Sequence, residues 1–287
     1  MEFTYAQAII TGFIQGVTEL FPVSSLGHAV LIPAWIGGQW SDFTTNENSP
    51  YLTATIALHG ASALALFLVF RKRWFGLVSS GAKSLIGRHS RESSVFWRLV
   101  VATIPVAILG FVFEKNLRQL FSNPLASAIF ISINGCILLT VELITRSKAR
   151  SESIREENAH ISQSISVKSA LAIGFGQSLA LFAGISRFGI SMSAGLLRGL
   201  SHSTSSDFAF LLALPVIAGA SFYKLPDLLL SENSHLLGPI FVGSIVSFIC
   251  TYASITFLVR WFKSRTLYPF AIYCLIVGGL SIIRFAG

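Results

Sequence analysis

Glu19, Ser25, His28 and Arg187 are the side chains of this sequence best suited to chemistry, and all four sit in otherwise apolar stretches. Gln15 and Glu19 are four apart and share one face of a helix. A carboxylate among apolar residues is costly and is usually functional or paired. The plainer reading of Glu19 is a structural pair with Arg187, and that of Gln15 is a bond to a neighbouring helix. Pro22-Val-Ser24-Ser25-Leu-Gly-His28 follows directly. A helix restarting near Ser24 would offer free N–H groups to an anion. Ser25 and His28, three apart, set a hydroxyl beside an imidazole, the arrangement of an activated nucleophile. Ser24 and Ser25 could equally be helix caps, and His28 an interhelical hydrogen bond. The second polar element is Gly184-Ile-Ser186-Arg187-Phe-Gly189-Ile-Ser191. Its glycines let backbone approach a ligand closely. Arg187 is permanently charged and needs an anion at this depth, and Ser191, four residues on, can grip the same phosphate. Glu, His, Arg, hydroxyls and free amides, without an Asp cluster, suit a phosphate or diphosphate group.

The elements that must carry these residues belong to a membrane. Of 287 residues, 53% are hydrophobic and 12% charged, half the charge of a soluble domain. With a mean hydropathy of +0.68, this excludes a disordered chain and argues against a water-soluble one. The weak alternation of a membrane β-barrel is absent. Six segments, at about 51–70, 95–113, 125–145, 208–223, 236–259 and 267–283, approach the ~20 residues that cross ~30 Å of hydrocarbon. Two more, 5–38 and 169–200, are apolar with a Gly/Pro-rich polar break in the middle. Irregular backbone at membrane depth must be buried by protein or reached by water, so both read as re-entrant helix–break–helix hairpins. The expected fold is an all-α polytopic membrane protein of six transmembrane helices and two re-entrant hairpins, one integral membrane domain over 1–287.

A shift of 162 residues superposes Gly12, Phe13, Gln15, Ser24 and Gly27 on Gly174, Phe175, Gln177, Ser186 and Gly189. These matches coincide with the two breaks. They divide the chain into repeat one (about 1–145), a loop (about 146–168) and repeat two (about 169–287). An odd number of spans separates the copies, so the topology is inverted and the two breaks should meet at the midplane as a binding site. The net charge of +8 follows the same plan. Loops 71–94, 146–168 and 260–265 hold 14 of the 21 Lys and Arg, which places them in the cytoplasm. Loops 39–50, 114–123 and 224–235 then lie outside. The basic excess therefore points to a bilayer and not to nucleic acid. Cys136, Cys250 and Cys274 lie in apolar runs without paired spacing and read as buried small hydrophobes. His59 reads as a packed histidine, Asn134 as a bond to a neighbouring helix, and Arg98 and Glu142 as snorkelling side chains near span ends. The N-terminus, lacking a basic region and a cleavage site, is expected to belong to the fold.

Gln15-Gly-Val-Thr-Glu19-Leu-Phe-Pro-Val-Ser-Ser-Leu-Gly-His28 resembles the first signature of the bacitracin-resistance-type undecaprenyl-diphosphate phosphatases. Ala183-Gly-Ile-Ser-Arg-Phe-Gly-Ile-Ser191 resembles the second, with Ala183 for Pro, Phe188 for Ser and Ser191 for Thr. Gln15 is the neutral option at its position and lowers the charge available to a metal. Length, helix pattern and motif positions match over nearly the whole chain. The resemblance implies hydrolysis of undecaprenyl diphosphate to the monophosphate and inorganic phosphate, recycling the carrier for peptidoglycan synthesis and giving bacitracin resistance. It implies a multi-pass protein of the bacterial plasma membrane, a site open to the extracytoplasmic side, and a divalent cation, Mg²⁺ or Ca²⁺; Glu19 is expected to hold that cation or to orient His28. Glu19, Ser25, His28 and Arg187 are the implied catalytic residues, with Ser24, Ser186 and Ser191 as implied phosphate ligands; Gln15, Gly184 and Gly189 are expected to bind substrate beside them. Ser25 with His28 as base, or His28 itself, would attack the terminal phosphorus. Partners are the polyprenyl diphosphate and the bilayer, with a homo-oligomer allowed by the sequence. The competing readings are a transporter or flippase of a polyprenyl phosphate on the same inverted scaffold and, more weakly, a non-catalytic relative.

Overall fold

A computed structural model describes residues 3–46, 49–113, 123–151, 165–228 and 235–287. They form helices α1 (Tyr5–Thr18), α2 (Ser25–Ile36), α3 (Gly38–Thr45), α4 (Tyr51–Ser84), α5 (Arg91–Val112), α6 (Pro124–Ser151), α7 (Val167–Ser178), α8 (Arg187–Leu197), α9 (His202–Leu228), α10 (Leu237–Trp261) and α11 (Tyr268–Phe285). No strand occurs among the described residues. Six helices, α4, α5, α6, α9, α10 and α11, are long and apolar enough to cross a membrane.

The remaining principal helices are too short to span. At 1.5 Å per residue α1 covers about 21 Å and α2 about 18 Å, against ~30 Å of hydrocarbon. Each hairpin is punctuated by capping chemistry. The Thr4 hydroxyl and Gln7 side chain form a reciprocal box at the start of α1. Ser24 and Ser186 cap α2 and α8, accepting from the N–H of Gly27 and Gly189 three residues on. The two hairpins therefore carry the same cap at positions related by the 162-residue shift.

Their outer arms also dock alike. Gly12 of α1 lies against the backbone of Gly243 in α10. Its counterpart Gly174 of α7 lies against Ala102 in α5, where a Cβ would fall 2.5 Å from the Ala102 oxygen. The first arm of each hairpin thus packs on the second span of the other repeat. Spans α4 and α9 pack together, as do α6 and α11. The core between them is aliphatic and aromatic: Leu66, Ile131, Leu138, Phe188, Phe210, Ile255 and Phe262 share one cluster.

Several expectations need correction. Residues 71–84 are not loop; α4 continues through them. Leu77 is buried with Val95 and Leu99, Gly81 accommodates the ring of Phe96, and Trp97 donates to the Ser84 hydroxyl, so contact with α5 extends the helix past the apolar run. Cys136 is exposed on its helix face, Cys250 is half-buried and only Cys274 is buried. Glu142 does not snorkel; it is fully buried. Its Oε2 accepts from the Leu267 N–H at 3.2 Å and pairs with His202 Nε2 at 2.8 Å, while Arg146 lies 3.5 Å from Oε1. Residues 47–48, 114–122, 152–164 and 229–234, within four of the expected loops, fall outside the described residues.

Candidate active site

The two breaks are sewn together by backbone. The Ser24 hydroxyl accepts from Gly184 N–H at 3.1 Å as well as from Gly27. Ser186 Oγ donates to the Phe21 carbonyl at 3.2 Å. Asn134 of α6 clamps both, donating to Pro22 O at 2.9 Å and accepting from Ser186 N at 3.0 Å. Small residues permit this crossing: a Cβ on Gly27 would lie 2.9 Å from Gly184 Cα, and one on Gly189 would lie 3.0 Å from Pro22 Cβ. Two positions hold left-handed backbone that favours glycine: Gly184 at φ 122 and Ser24 at φ 74, the latter the single non-glycine of positive φ among the described residues. Strain of this kind persists where surrounding structure fixes it, commonly at functional sites.

Glu19 sits just beyond the end of α1, at the centre of this crossing, and is buried. Its Oε2 accepts from Gln15 Nε2 at 2.7 Å and, in a short hydrogen bond, from the hydroxyl of Ser25. His59 Nε2 stands 3.2 Å from the same oxygen. Arg187 Nη1 approaches the other oxygen, Oε1, at 3.9 Å. The expected acid and guanidinium therefore do meet, one from each hairpin.

His28 is placed differently from expectation. Its Nδ1 donates to the Ser24 carbonyl at 2.6 Å and its Nε2 pairs with the Tyr273 hydroxyl at 2.8 Å. The tyrosine ring stacks on the imidazole at 5.6 Å. Ser25 thus gives its proton to Glu19 and not to His28, because the first turn of α2 directs the imidazole back along its own helix. Phe188 turns into the core against Phe210 and Phe262, at 4.5 and 5.7 Å between ring centres. Ser186 Oγ donates and accepts within the fold, whereas Ser24 Oγ only accepts, which leaves its proton for another acceptor.

Several buried polar atoms of the two hairpins have no hydrogen-bond partner among the described residues: Gln15 Oε1, Arg187 Nε and Nη1, Ser191 Oγ and both amide atoms of Gln177. Such groups cost about 1–3 kcal/mol each when unsatisfied, so those of Gln15 and Arg187, which both reach Glu19, mark where a polar ligand belongs. The sequence reading took His59 only as a packed histidine and did not single out Tyr273. His59 carries a readable signal in Thr55, His59 and Ser62, a polar stripe at helical spacing on an apolar span. Tyr273 carries none.

A sequence model of the bacitracin resistance protein BacA family matches residues 8–280. The chain is 42% identical to "Undecaprenyl-diphosphatase 2" of Frankia alni, with 99% of each chain covered. It is 40% identical to "Undecaprenyl-diphosphatase" of Mycolicibacterium paratuberculosis over 99% of this chain and 98% of that one. A third relative, "Undecaprenyl-diphosphatase 2" of Chromobacterium violaceum, is 37% identical over 96% and 97%. With its two breaks, its crossing and its full-length likeness to these proteins, the chain belongs to the bacitracin resistance protein BacA family.

Proposed function

We propose that the protein hydrolyses undecaprenyl diphosphate to undecaprenyl phosphate and inorganic phosphate at the crossing of its two hairpins. The observation that carries this reading is the hydroxyl of Ser25 bonded to Glu19, whose other oxygen faces Arg187. A carrier needs anion ligands but no serine held on a carboxylate, so this pair favours the enzyme over the transporter.

The terminal phosphate lies against Arg187, whose Nε and Nη1 make no hydrogen bond among the described residues and so have N–H groups to give it. Ser191 Oγ and the Ser24 hydroxyl proton complete its shell. Such preorganised donors, in a site shielded from water, are the main source of rate for phosphoryl transfer. Ser25 Oγ attacks the terminal phosphorus while its proton passes to Glu19. The P–O bond to the bridging oxygen breaks and undecaprenyl phosphate departs with that proton from Glu19, which returns the carboxylate to its ionised form. Water, giving its proton to Glu19, then attacks the phosphoserine; phosphate leaves and Ser25 regains a proton. Both nitrogens of His28 are engaged, which supports serine over histidine as nucleophile. His28 instead props the strained Ser24 that joins the breaks.

The donor set also suits the cation implied by the resemblance. A hard divalent ion takes oxygen ligands and is often held by one carboxylate plus substrate phosphates. Glu19 supplies that carboxylate and Gln15 Oε1, buried and unpartnered, supplies a second oxygen. Among the described residues no group of three or more His, Cys, Asp or Glu stands together, so the other ligands of such a cation would be neutral oxygens, water or the substrate phosphates. When bound, the cation offsets diphosphate charge.

The experiment is phosphate release by purified protein in detergent from C55 diphosphate. Ser25→Ala, Glu19→Gln and Arg187→Ala should each lose at least about 1,000-fold in kcat, the scale seen when a nucleophile or key charge donor is removed. Near-wild-type turnover by Ser25→Ala would overturn the assignment. A phosphate adduct trapped on Ser25 supports it.

A further inference from the structure

The outer partner of Glu19 comes from neither hairpin. His59 belongs to α4, a full span, and is buried. Its Nδ1 donates to the Thr55 carbonyl one turn back at 2.8 Å, which fixes the ring; Nε2, aimed at Glu19 Oε2, holds that carboxylate as a second N–H donor, with a proton on each ring nitrogen. The span itself is held in register on both sides of His59. Ser62 Oγ bonds Ser247 Oγ at 3.1 Å and Thr251 Oγ1 at 2.9 Å of α10, and Ser247 Oγ reaches the Leu58 carbonyl at 3.3 Å. The same α10 is tied to α1 beside Gln15, through Ser254 Oγ and the Gly16 carbonyl at 3.2 Å. One helix thus sets the distance between His59 and Glu19.

Glu19 has two ways to settle. It can keep Oε2 on Ser25, or it can turn fully onto Arg187, now 3.9 Å away. In a buried site an unscreened guanidinium attracts a carboxylate strongly. A closed Glu19–Arg187 pair would remove the base from Ser25 and the cation from the phosphate at once. Gln15, on the same helix as Glu19 and neutral, opposes that turn weakly. His59 opposes it from a separate, rigid element.

We infer that His59 is a positioning residue of the reaction, holding Glu19 on Ser25 and away from Arg187 so that both charges stay available to the diphosphate. This rests on the reading of Glu19 as the base for Ser25. Two signatures follow. Loss of His59 lowers kcat, because the base is misplaced, and raises KM, because Glu19 now competes with substrate for Arg187. Glutamine, which can still donate an amide N–H to the carboxylate, restores both.

The test compares His59→Leu, His59→Gln and His59→Asn with wild type, Ser25→Ala and Glu19→Gln, all as full-length protein in detergent with C55 diphosphate. kcat, KM and melting midpoint are read separately. Expected for His59→Leu are a fall of about 50-fold in kcat and a rise of about fivefold in KM. His59→Gln should come within about fivefold of wild type in kcat, with KM restored. A purely structural histidine would lower the yield and melting midpoint of the leucine variant and leave its KM and turnover per folded molecule unchanged. Turnover of His59→Leu within threefold of wild type, or a glutamine variant as impaired as the leucine one, overturns the inference. Should the leucine variant not fold, glutamine is set against the shorter asparagine, and equal activity of those two overturns it. If Ser25→Ala and Glu19→Gln keep their turnover, the reading of the base fails whatever His59 does. If they are inactive while His59→Leu is active, only the positioning role fails.

Discussion

At the scale of single residues, the polar side chains that an apolar environment makes costly were the ones that could be found in the sequence. Glu19 and Arg187 stand out because hydrocarbon tolerates neither without a partner, and the fold brings them together. Local spacing misled for His28. Ser25 and His28 share a helix face, yet the imidazole bonds backward to Ser24 and sideways to Tyr273. Tyr273 had no legible signal, since it reaches the site from a span 245 residues away. Its hydroxyl is the one side-chain contact of His28 Nε2 among the described residues. One such bond is worth about 0.5–1.5 kcal/mol. Tyr273→Phe keeps the stacked ring and removes that bond, so it should lower kcat by about 3- to 10-fold with little effect on melting, checked by steady-state phosphate release and a thermal scan. Glu142 misled in the opposite direction. Its place near a span end suggested snorkelling, but α9 and the chain before α11 fold over it. Glu142→Ala leaves the Leu267 N–H and His202 without their acceptor and should cost about 1–3 kcal/mol of stability, visible as a lowered melting midpoint in detergent. Because its polar partners, His202, Leu267 and Arg146, are none of the residues assigned to the crossing, kcat per folded molecule should hold.

At the scale of elements, helix–break–helix was readable because capping and breaking residues are local. Ser24 and Ser186 cap the second arms, and the Gly/Pro-rich segments before them cannot continue a helix. Element ends set by tertiary contact were not readable, as the extension of α4 through residues 71–84 shows. Of the repeated residues, Phe13 and Phe175 are both more than half exposed and face outward. Gln15 and Gln177 are both fully buried. Gly12 and Gly174 both lie where an opposing helix backbone leaves no room. The repeat therefore records packing as well as chemistry. Gly174→Ala places a methyl against Ala102 backbone, which cannot retreat as a side-chain end would. The expected cost is about 1–3 kcal/mol, read as a lower melting midpoint and partial loss of turnover. Gly76→Ala is the contrast: helical, with nothing within 4 Å of its new Cβ. It should leave both unchanged or raise stability slightly.

At the scale of the whole molecule, the arrangement of spans makes a statement about the bilayer that can be measured. The turn after α4, the start of α9 and the turn before α11 should share one side. Their polar contacts agree: Arg73 pairs with Asp207 at 3.2 Å and Glu142 pairs with His202, each joining ends that the topology puts together. Lys83, Arg88, Arg91, Arg260, Lys263 and Arg265 lie on that same side, and positive charge favours the cytoplasm. Asp42 in α3 lies beyond the second arm of hairpin one, on the opposite side. Single cysteines at these positions report the orientation directly. In a background with Cys136, Cys250 and Cys274 replaced by alanine, and with phosphate release retained, Asp42→Cys should react with a membrane-impermeant maleimide in intact cells. Arg88→Cys and Lys263→Cys should react only after the membrane is opened. All three replaced side chains are exposed in the fold, so reactivity is set by which compartment the reagent reaches. The reverse pattern would put the opening of hairpin one in the cytoplasm and would remove the extracytoplasmic site, while leaving the crossing of the two breaks, and the chemistry assigned to it, as they stand.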